Sequence, residues 1–312
     1  MESDSKDPLT SVEFPGQGVP YGELIKELSD IDLVGAEAHE EARGVFDEVH
    51  ETTGVDVRTL VAEHTIEELS DTRVAQILLL AAGFAGGRIL VKKGVSPNYY
   101  RGHSASAYTA AGLAGALALK SAASLIQKRG QLMHEAAEKH PGGAAITDLN
   151  SERLIEICQR AGVFVANYNS PLQSVISGEH ELLKIAIGRI KQAGARATPF
   201  RNWKNGPVHS PLFQEQEDQL RLVLEDVDII DPVTPFIKNT DGKATTSSEE
   251  VRDDLGGMAK QVRWTDGTIT LLANGVNRFI EVSPKGKKIL SRLLEDHGLK
   301  DQAVIKHLFD FL

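Results

Sequence analysis

The pattern that most constrains the fold of this 312-residue chain lies between residues 144 and 200. Short apolar runs alternate there with helical stripes, in the order strand 144–147, helix 154–161, strand 163–168, strand 173–177, helix 179–193 and strand 195–200. This β-α-β-β-α-β order is typical of a ferredoxin-like unit. Because the unit sits in the middle of the chain, it predicts a small subdomain inserted into a larger one.

The remaining sequence predicts a larger α/β domain around that insertion. A buried strand at 12–14 runs into Pro-Gly-Gln-Gly, and helical spacing of apolar residues follows over about 21–85. The other predicted elements are a strand at 94–101, helices at 106–118, 121–138, 214–224, 248–260 and 266–273, a strand at 279–282 and a helical end. We therefore predict a large domain formed by residues 1–138 and 203–312, and an inserted subdomain at 139–202.

Composition narrows the functional classes. A hydrophobic share of 41% and a charged share of 25% are ordinary for a globular protein, and the net charge of −10 disfavours nucleic acid or an anionic membrane as partner. The single cysteine, Cys158, leaves no cysteine metal cluster or internal disulfide. The first dozen residues carry no apolar signal core, and the apolar run 77–85 is too short to span a bilayer. We expect a cytoplasmic protein.

A candidate nucleophile stands at the predicted turn from strand to helix. A serine on such a turn exposes its hydroxyl, and the amides of the following helix face a developing oxyanion. Gly102-His103-Ser104 fits this geometry, although Ser106 occupies the position of the second glycine in G-x-S-x-G. Alone, the motif is weak evidence and fits an ordinary N-cap serine better than a nucleophile.

Further motifs follow in order along the chain. They are FPGQG at 14–18, GHS at 102–104, KRGQLM at 128–133, NYNSP at 167–171, VISG at 175–178, HSPL at 209–212, VRW at 262–264 and EVSP at 281–284. In these motifs the sequence resembles the malonyl-CoA:acyl carrier protein transacylase family over nearly its whole length. The resemblance implies an α/β-hydrolase-like large domain with an inserted ferredoxin-like subdomain.

The resemblance also implies the roles of individual residues. Ser104 corresponds to the nucleophile and His209 to its base, while backbone amides at Gln17 and Ala105 form the oxyanion hole. An imidazole that takes the serine proton and returns it to a departing thiol suits thioester chemistry. His103, although adjacent to Ser104, leaves the turn in another direction and is not the expected base. A Gly-Pro turn without a role is the alternative for Gln17.

Three more residues concern the substrate. Arg129 corresponds to a family position whose guanidinium fork binds the malonyl carboxylate; the alternative is a surface arginine beside Lys128. Asn169 and Gln173 match family positions near the cleft, although Asn-Ser-Pro also makes a good turn by itself.

Two departures from the family bear on these roles. The family usually has glycine at Ser106. Counted back from Trp264, the glutamine whose main-chain carbonyl orients the histidine falls on Gly257. Glycine also has a main-chain carbonyl, but this carbonyl need not lie where that of the family's glutamine lies.

The function implied is a ping-pong transfer of malonyl, or a substituted malonyl, from coenzyme A to the phosphopantetheine thiol of an acyl carrier protein. We expect a monomer that needs no bound cofactor, with the coenzyme A thioester as substrate. Two alternatives stay open: an acyl hydrolase acting on carrier proteins, against which Arg129 argues, and a catalytically idle module that binds carrier proteins.

Overall fold

Two β-sheets organise the chain, for which a computed structural model describes residues 8–200 and 205–312. The larger sheet has six strands, in the spatial order β10-β9-β1-β2-β7-β8. They are β1 (Thr10–Phe14), β2 (Tyr99–Gly102), β7 (Phe236–Ile237), β8 (Ala244–Thr245), β9 (Arg278–Glu281) and β10 (Val304–His307). All neighbours pair in parallel except β7 and β8, which are antiparallel. The loops after β1 and β2 therefore leave the same edge of the sheet.

The smaller sheet is antiparallel and has the order β4-β5-β3-β6. Its strands are β3 (Gly142–Thr147), β4 (Phe164–Ser170), β5 (Gln173–Glu179) and β6 (Ala197–Pro199). Helices α8 (Ser151–Ala161) and α9 (His180–Gln192) connect these strands and share an apolar core with them. The predicted β-α-β-β-α-β order is thus confirmed. The division at 139–202 stays a prediction, and its boundary near Trp203 lies outside the described residues.

Helices surround the larger sheet. They are α1 (Tyr21–Leu28), α2 (Ile31–Val34), α3 (Ala36–Thr53), α4 (Val57–Glu63), α5 (Thr72–Lys92), α6 (Ala107–Leu113), α7 (Leu119–Lys139), α10 (Gln214–Glu225), α11 (Ser248–Gly256), α12 (Trp264–Ala273) and α13 (Leu290–Asp296). Helix α5 is long and apolar enough to cross a membrane by length and composition, but 78% of its most apolar window is buried inside the fold. Such burial is typical of a core helix.

The structure corrects three predicted elements. The chain does not end helically, because Val304–His307 pairs in parallel with β9 and only a short 3₁₀ turn, Leu308–Asp310, follows. The helix predicted over 248–260 ends at Gly256, where two consecutive glycines favour termination. The helix predicted over 106–118 begins as a 3₁₀ turn at Ser104 and ends at Leu113.

Candidate active site

Ser104 lies on a strained turn between β2 and α6. Its φ of 54° is in the left-handed region, which a non-glycine residue adopts at a cost of about 1–3 kcal/mol. A side chain at Gly102 would overlap the carbonyl of Ser106, so the turn requires glycine there. Ser106, which replaces the second glycine, is buried and donates its hydroxyl hydrogen bond to the carbonyl of Pro15. The departure at Ser106 therefore ties the turn to the loop after β1.

His209 contacts the serine directly. Its Nε2 lies 2.7 Å from the Ser104 Oγ, and its Nδ1 lies 2.8 Å from the Lys260 carbonyl oxygen. Because a carbonyl only accepts hydrogen bonds, Nδ1 carries the proton and Nε2 is free to accept the serine proton. The structure assigns the orienting carbonyl to Lys260 and corrects the expectation of Gly257, since the chain turns after α11 and the Lys260 amide donates to the Gly257 carbonyl.

The surroundings of His209 keep its imidazole neutral. Burial is the largest cause, the charge of Arg129 adds to it, and together they lower the pKa of His209 to about 3. The hydrogen bond to Lys260 acts in the opposite direction. At neutral pH the ring is therefore in the form that can accept a proton.

Asn239 holds the serine turn from the other side, a contact that the sequence reasoning missed. Its Oδ1 accepts from the Ser104 amide at 2.9 Å, and its Nδ2 donates to the Gly102 carbonyl at 2.8 Å. Asn239 follows β7 in an Asn-Thr-Asp-Gly run whose composition is that of an ordinary turn. The two-residue strand before it is too short to show a period, so the sequence carries no signal for this contact.

The loop after β1 lies against the serine turn. The His103 amide donates to the Phe14 carbonyl at 2.9 Å, and Gly16 lies so near the His103 ring that an added Cβ would be 2.7 Å from its Nδ1. The Gln17 side chain points toward α5, where its Oε1 accepts from the Gln76 Nε2 and the Thr72 Oγ1 at 3.4 Å each. The oxyanion role of the Gln17 and Ala105 amides stays a prediction.

Arg129, on α7, is 3% exposed, which excludes the surface alternative. Its Nη1 donates to the Gln76 Oε1 at 2.8 Å and lies 3.1 Å from the Met133 Sδ. Within residues 8–200 and 205–312, no carboxylate lies at ion-pair distance from it. Arg129 lines a small pocket together with Ser104 and His209. The structure thus brings together a buried guanidinium, a serine and a histidine.

Asn169 contacts His103, and Gln173 contacts Asn169. The Asn169 Oδ1 lies 3.0 Å from the His103 Nε2, and its Nδ2 donates to the Gln173 Oε1 at 2.9 Å. The His103 ring therefore lies against Asn169 of β4 in the small sheet. Burial lowers the pKa of His103 to about 4.

A cleft of about 920 Å³ opens next to His209. It lies between the small sheet and the segments around α10 and α11, and its lining includes Tyr168, Arg221, Lys260 and Gln261. A cleft of this size can hold an extended ligand arm.

Comparison with known proteins places this geometry in a family. Residues 14–303 match the acyl transferase domain. Over 290 residues the chain is 34% identical to a malonyl CoA-acyl carrier protein transacylase of Bacillus subtilis (strain 168), with 90% of this chain and 88% of that relative covered. The chain belongs to the malonyl-CoA:acyl carrier protein transacylase family.

Other family members agree in sequence and in structure. The chain is 32% identical to the relative of the same name from Escherichia coli (strain K12) over 279 residues, which cover 87% of each. An acyl carrier protein S-malonyltransferase from Vibrio cholerae superposes with a TM-score of 0.86 at 30% identity, covering 96% of both chains. A malonyl-transacylase solved in complex with a type II PKS acyl-carrier protein superposes with a TM-score of 0.84 at 31% sequence identity, covering 96% of this chain and 94% of that one. These likenesses confirm the predicted fold class.

Proposed function

We propose that the protein transfers a malonyl group from coenzyme A to the phosphopantetheine thiol of an acyl carrier protein by way of an ester on Ser104. The observation that carries the proposal is the Ser104 Oγ lying 2.7 Å from the unprotonated nitrogen of a buried histidine, beside Arg129. The relatives named above carry malonyl transferase names, which support the same acyl group.

The geometry supplies a route for the proton. The Ser104 Oγ attacks the thioester carbonyl carbon while its proton passes to the His209 Nε2, and the amides of Gln17 and Ala105 hold the oxyanion. When the tetrahedral intermediate collapses, the C–S bond breaks and the imidazolium returns the proton to the coenzyme A sulfur. The carrier-protein thiol then attacks the ester by the same steps in reverse.

Arg129 supplies the selection for malonyl. A buried guanidinium without an ion-pair partner among the described residues favours a ligand carboxylate, and two parallel hydrogen bonds fix its orientation. Asn169 and Gln173 support the neighbouring wall through His103.

The broader setting follows from composition and family. We expect a monomer in the cytoplasm, without a bound cofactor and without nucleic acid or membrane as partner, in fatty-acid or polyketide synthesis. The net charge of −10 argues against nucleic acid as partner, and the burial of α5 argues against a membrane span.

A labelling experiment tests the proposal. Labelled malonyl-CoA, followed by acid quench and peptide mapping, should leave its label on Ser104, and holo carrier protein should then remove it. The Ser104→Ala variant should lose both signals, while Ser151→Ala, at an exposed serine, should keep them. Absence of a Ser104 adduct contradicts the proposal. Release of malonate to water faster than transfer would indicate the hydrolase alternative, and a Ser104 that resists a phosphonofluoridate would indicate the idle module.

A second arm tests the acyl group. Arg129→Ala should lower kcat/KM for malonyl-CoA relative to acetyl-CoA by about 100-fold, because charge-assisted hydrogen bonds to the carboxylate are lost. The neighbouring Lys128→Ala serves as control. An unchanged ratio would show that the carboxylate binds elsewhere.

A further inference from the structure

The carbonyl that orients His209 belongs to a segment with little structure of its own. Between the end of α11 at Gly256 and the start of α12 at Trp264, the chain forms turns and no helix. Gly256 ends α11 and Gly257 begins the segment, and two consecutive glycines leave the backbone there with much freedom. A carbonyl in such a segment can orient a histidine only if other contacts fix the segment.

On one side the segment is fixed by the small sheet. The Val262 amide donates to the Ala166 carbonyl at 2.9 Å, and the Tyr168 amide donates to the Val262 carbonyl at 2.9 Å. The Gln261 Nε2 also donates to the Val165 carbonyl at 2.8 Å. These contacts lie after Lys260 in the chain and hold the segment to β4.

On the other side it is fixed by a buried carboxylate. Glu217, on α10, is 1% exposed, and its Oε2 accepts from the Ala259 amide at 2.8 Å. Its Oε1 accepts from the Arg221 Nε at 3.0 Å, and Arg221 also binds the exposed Asp253 at 2.7 Å. Charge-assisted hydrogen bonds are stronger than neutral ones, and a buried carboxylate that already has its cation and amide partners has little freedom to move.

We propose that Glu217, oriented by Arg221, is a positioning residue for His209. It fixes the Ala259 amide, the next residue supplies the Lys260 carbonyl, and this carbonyl sets the tautomer and direction of the imidazole. The proposal rests on the proposed function, in which Ser104 and His209 form the acylating pair. Glu217 lies eight positions after His209, so the helix that follows the histidine also secures the carbonyl that orients it.

Substitution of Glu217 should slow acylation without weakening substrate binding. We expect Glu217→Gln to lower kcat for malonyl transfer by about 10- to 100-fold, because a small displacement of a catalytic group has effects of this size. KM should stay within about twofold. Arg221→Met, at a partly exposed position, should lower kcat by a smaller factor. Arg221→Lys, which keeps the positive charge, should lower kcat less than Arg221→Met does. Glu225→Gln, an exposed carboxylate of the same helix, is the matched control.

A double-mutant cycle separates positioning from a general structural effect. The rate at which a phosphonofluoridate labels Ser104 is measured for wild type, Glu217→Gln, His209→Ala and the double variant, so that the readout does not require malonyl as substrate. If Glu217 acts through His209, its substitution has no further effect once His209 is absent. An equal loss in both backgrounds, or no loss in wild type, would overturn the proposal. If Glu217→Gln fails to fold, the same cycle with Arg221→Met tests whether the effect depends on His209.

Discussion

At the scale of single residues, Asn239 offers a direct test of how the serine turn is held. It bonds the backbone on both sides of His103, at the Gly102 carbonyl and the Ser104 amide. Each neutral hydrogen bond contributes about 1 kcal/mol, so losing both corresponds to roughly a 30-fold effect. We expect Asn239→Ala to lower kcat for malonyl transfer by that factor with KM within about twofold, measured by initial rates. Asn274→Ala, at an exposed asparagine, is the control, and an unchanged kcat would contradict the role.

The residues of the site differ in how far the sequence reveals them. Ser104 and His209 stand in motifs that fix the local backbone, so the sequence alone identifies their side chains as candidates. The Lys260 contact could not, because a main-chain carbonyl leaves no side-chain signature and counting residues pointed to Gly257. Asn239 could not be identified either, because the residues around it have the composition of an ordinary turn. Side chains that bond distant backbone depend on tertiary placement, which local patterns do not encode.

At the scale of elements, a buried ion pair links the two strands that present the site. Glu13 on β1 and Arg101 on β2 are in register, each about 1% exposed, with the Arg101 Nε 2.8 Å from the Glu13 Oε1. The guanidinium carbon also lies 3.7 Å from the centre of the Trp264 ring. Burial raises the pKa of Glu13, and the charge of Arg101 only partly offsets this. Neither group has access to water as a substitute partner.

Removing one member of this pair should destabilise the large sheet. Glu13→Ala leaves the Arg101 charge uncompensated, so we expect the free energy of unfolding to fall by about 3–5 kcal/mol. The double variant Glu13→Val with Arg101→Met should recover most of that loss, because apolar residues of similar volume remove both charges together. Urea unfolding of the three proteins measures the difference. If Glu13→Ala lowers the free energy of unfolding by less than about 0.5 kcal/mol, the ion pair does not stabilise the folded state.

Element prediction succeeded where periodicity extends over many residues. The inserted β-α-β-β-α-β unit was predicted because its strands and amphipathic helices alternate over more than fifty residues. The strand Val304–His307 was missed because four residues carry no readable period, and pairing with β9 decides its conformation. The two-residue strands β7 and β8 were missed for the same reason.

At the scale of the whole molecule, pH couples the site to stability. The pKa of His209 is about 3 in the folded protein and near 6.5 in an unfolded chain, so the unfolded state binds more protons below pH 6.5. The stability that this histidine contributes is complete above pH 6.5 and is lost as pH falls toward 3. Glu13 and Asp254, whose pKa values burial raises, act in the opposite direction by taking up protons on folding.

A comparison of two proteins isolates the histidine. Between pH 6 and 5 the free energy of unfolding of the wild type should fall more steeply than that of His209→Gln, by about 1 kcal/mol per pH unit. The contributions of Glu13 and Asp254 are common to both proteins and cancel in the difference. Urea unfolding at half-unit steps of pH measures the two slopes, and equal slopes would mean that the imidazole is not held neutral by burial. A steeper wild-type slope would show that folding desolvates the base of the site, so that part of the stability of the molecule depends on keeping this proton acceptor uncharged.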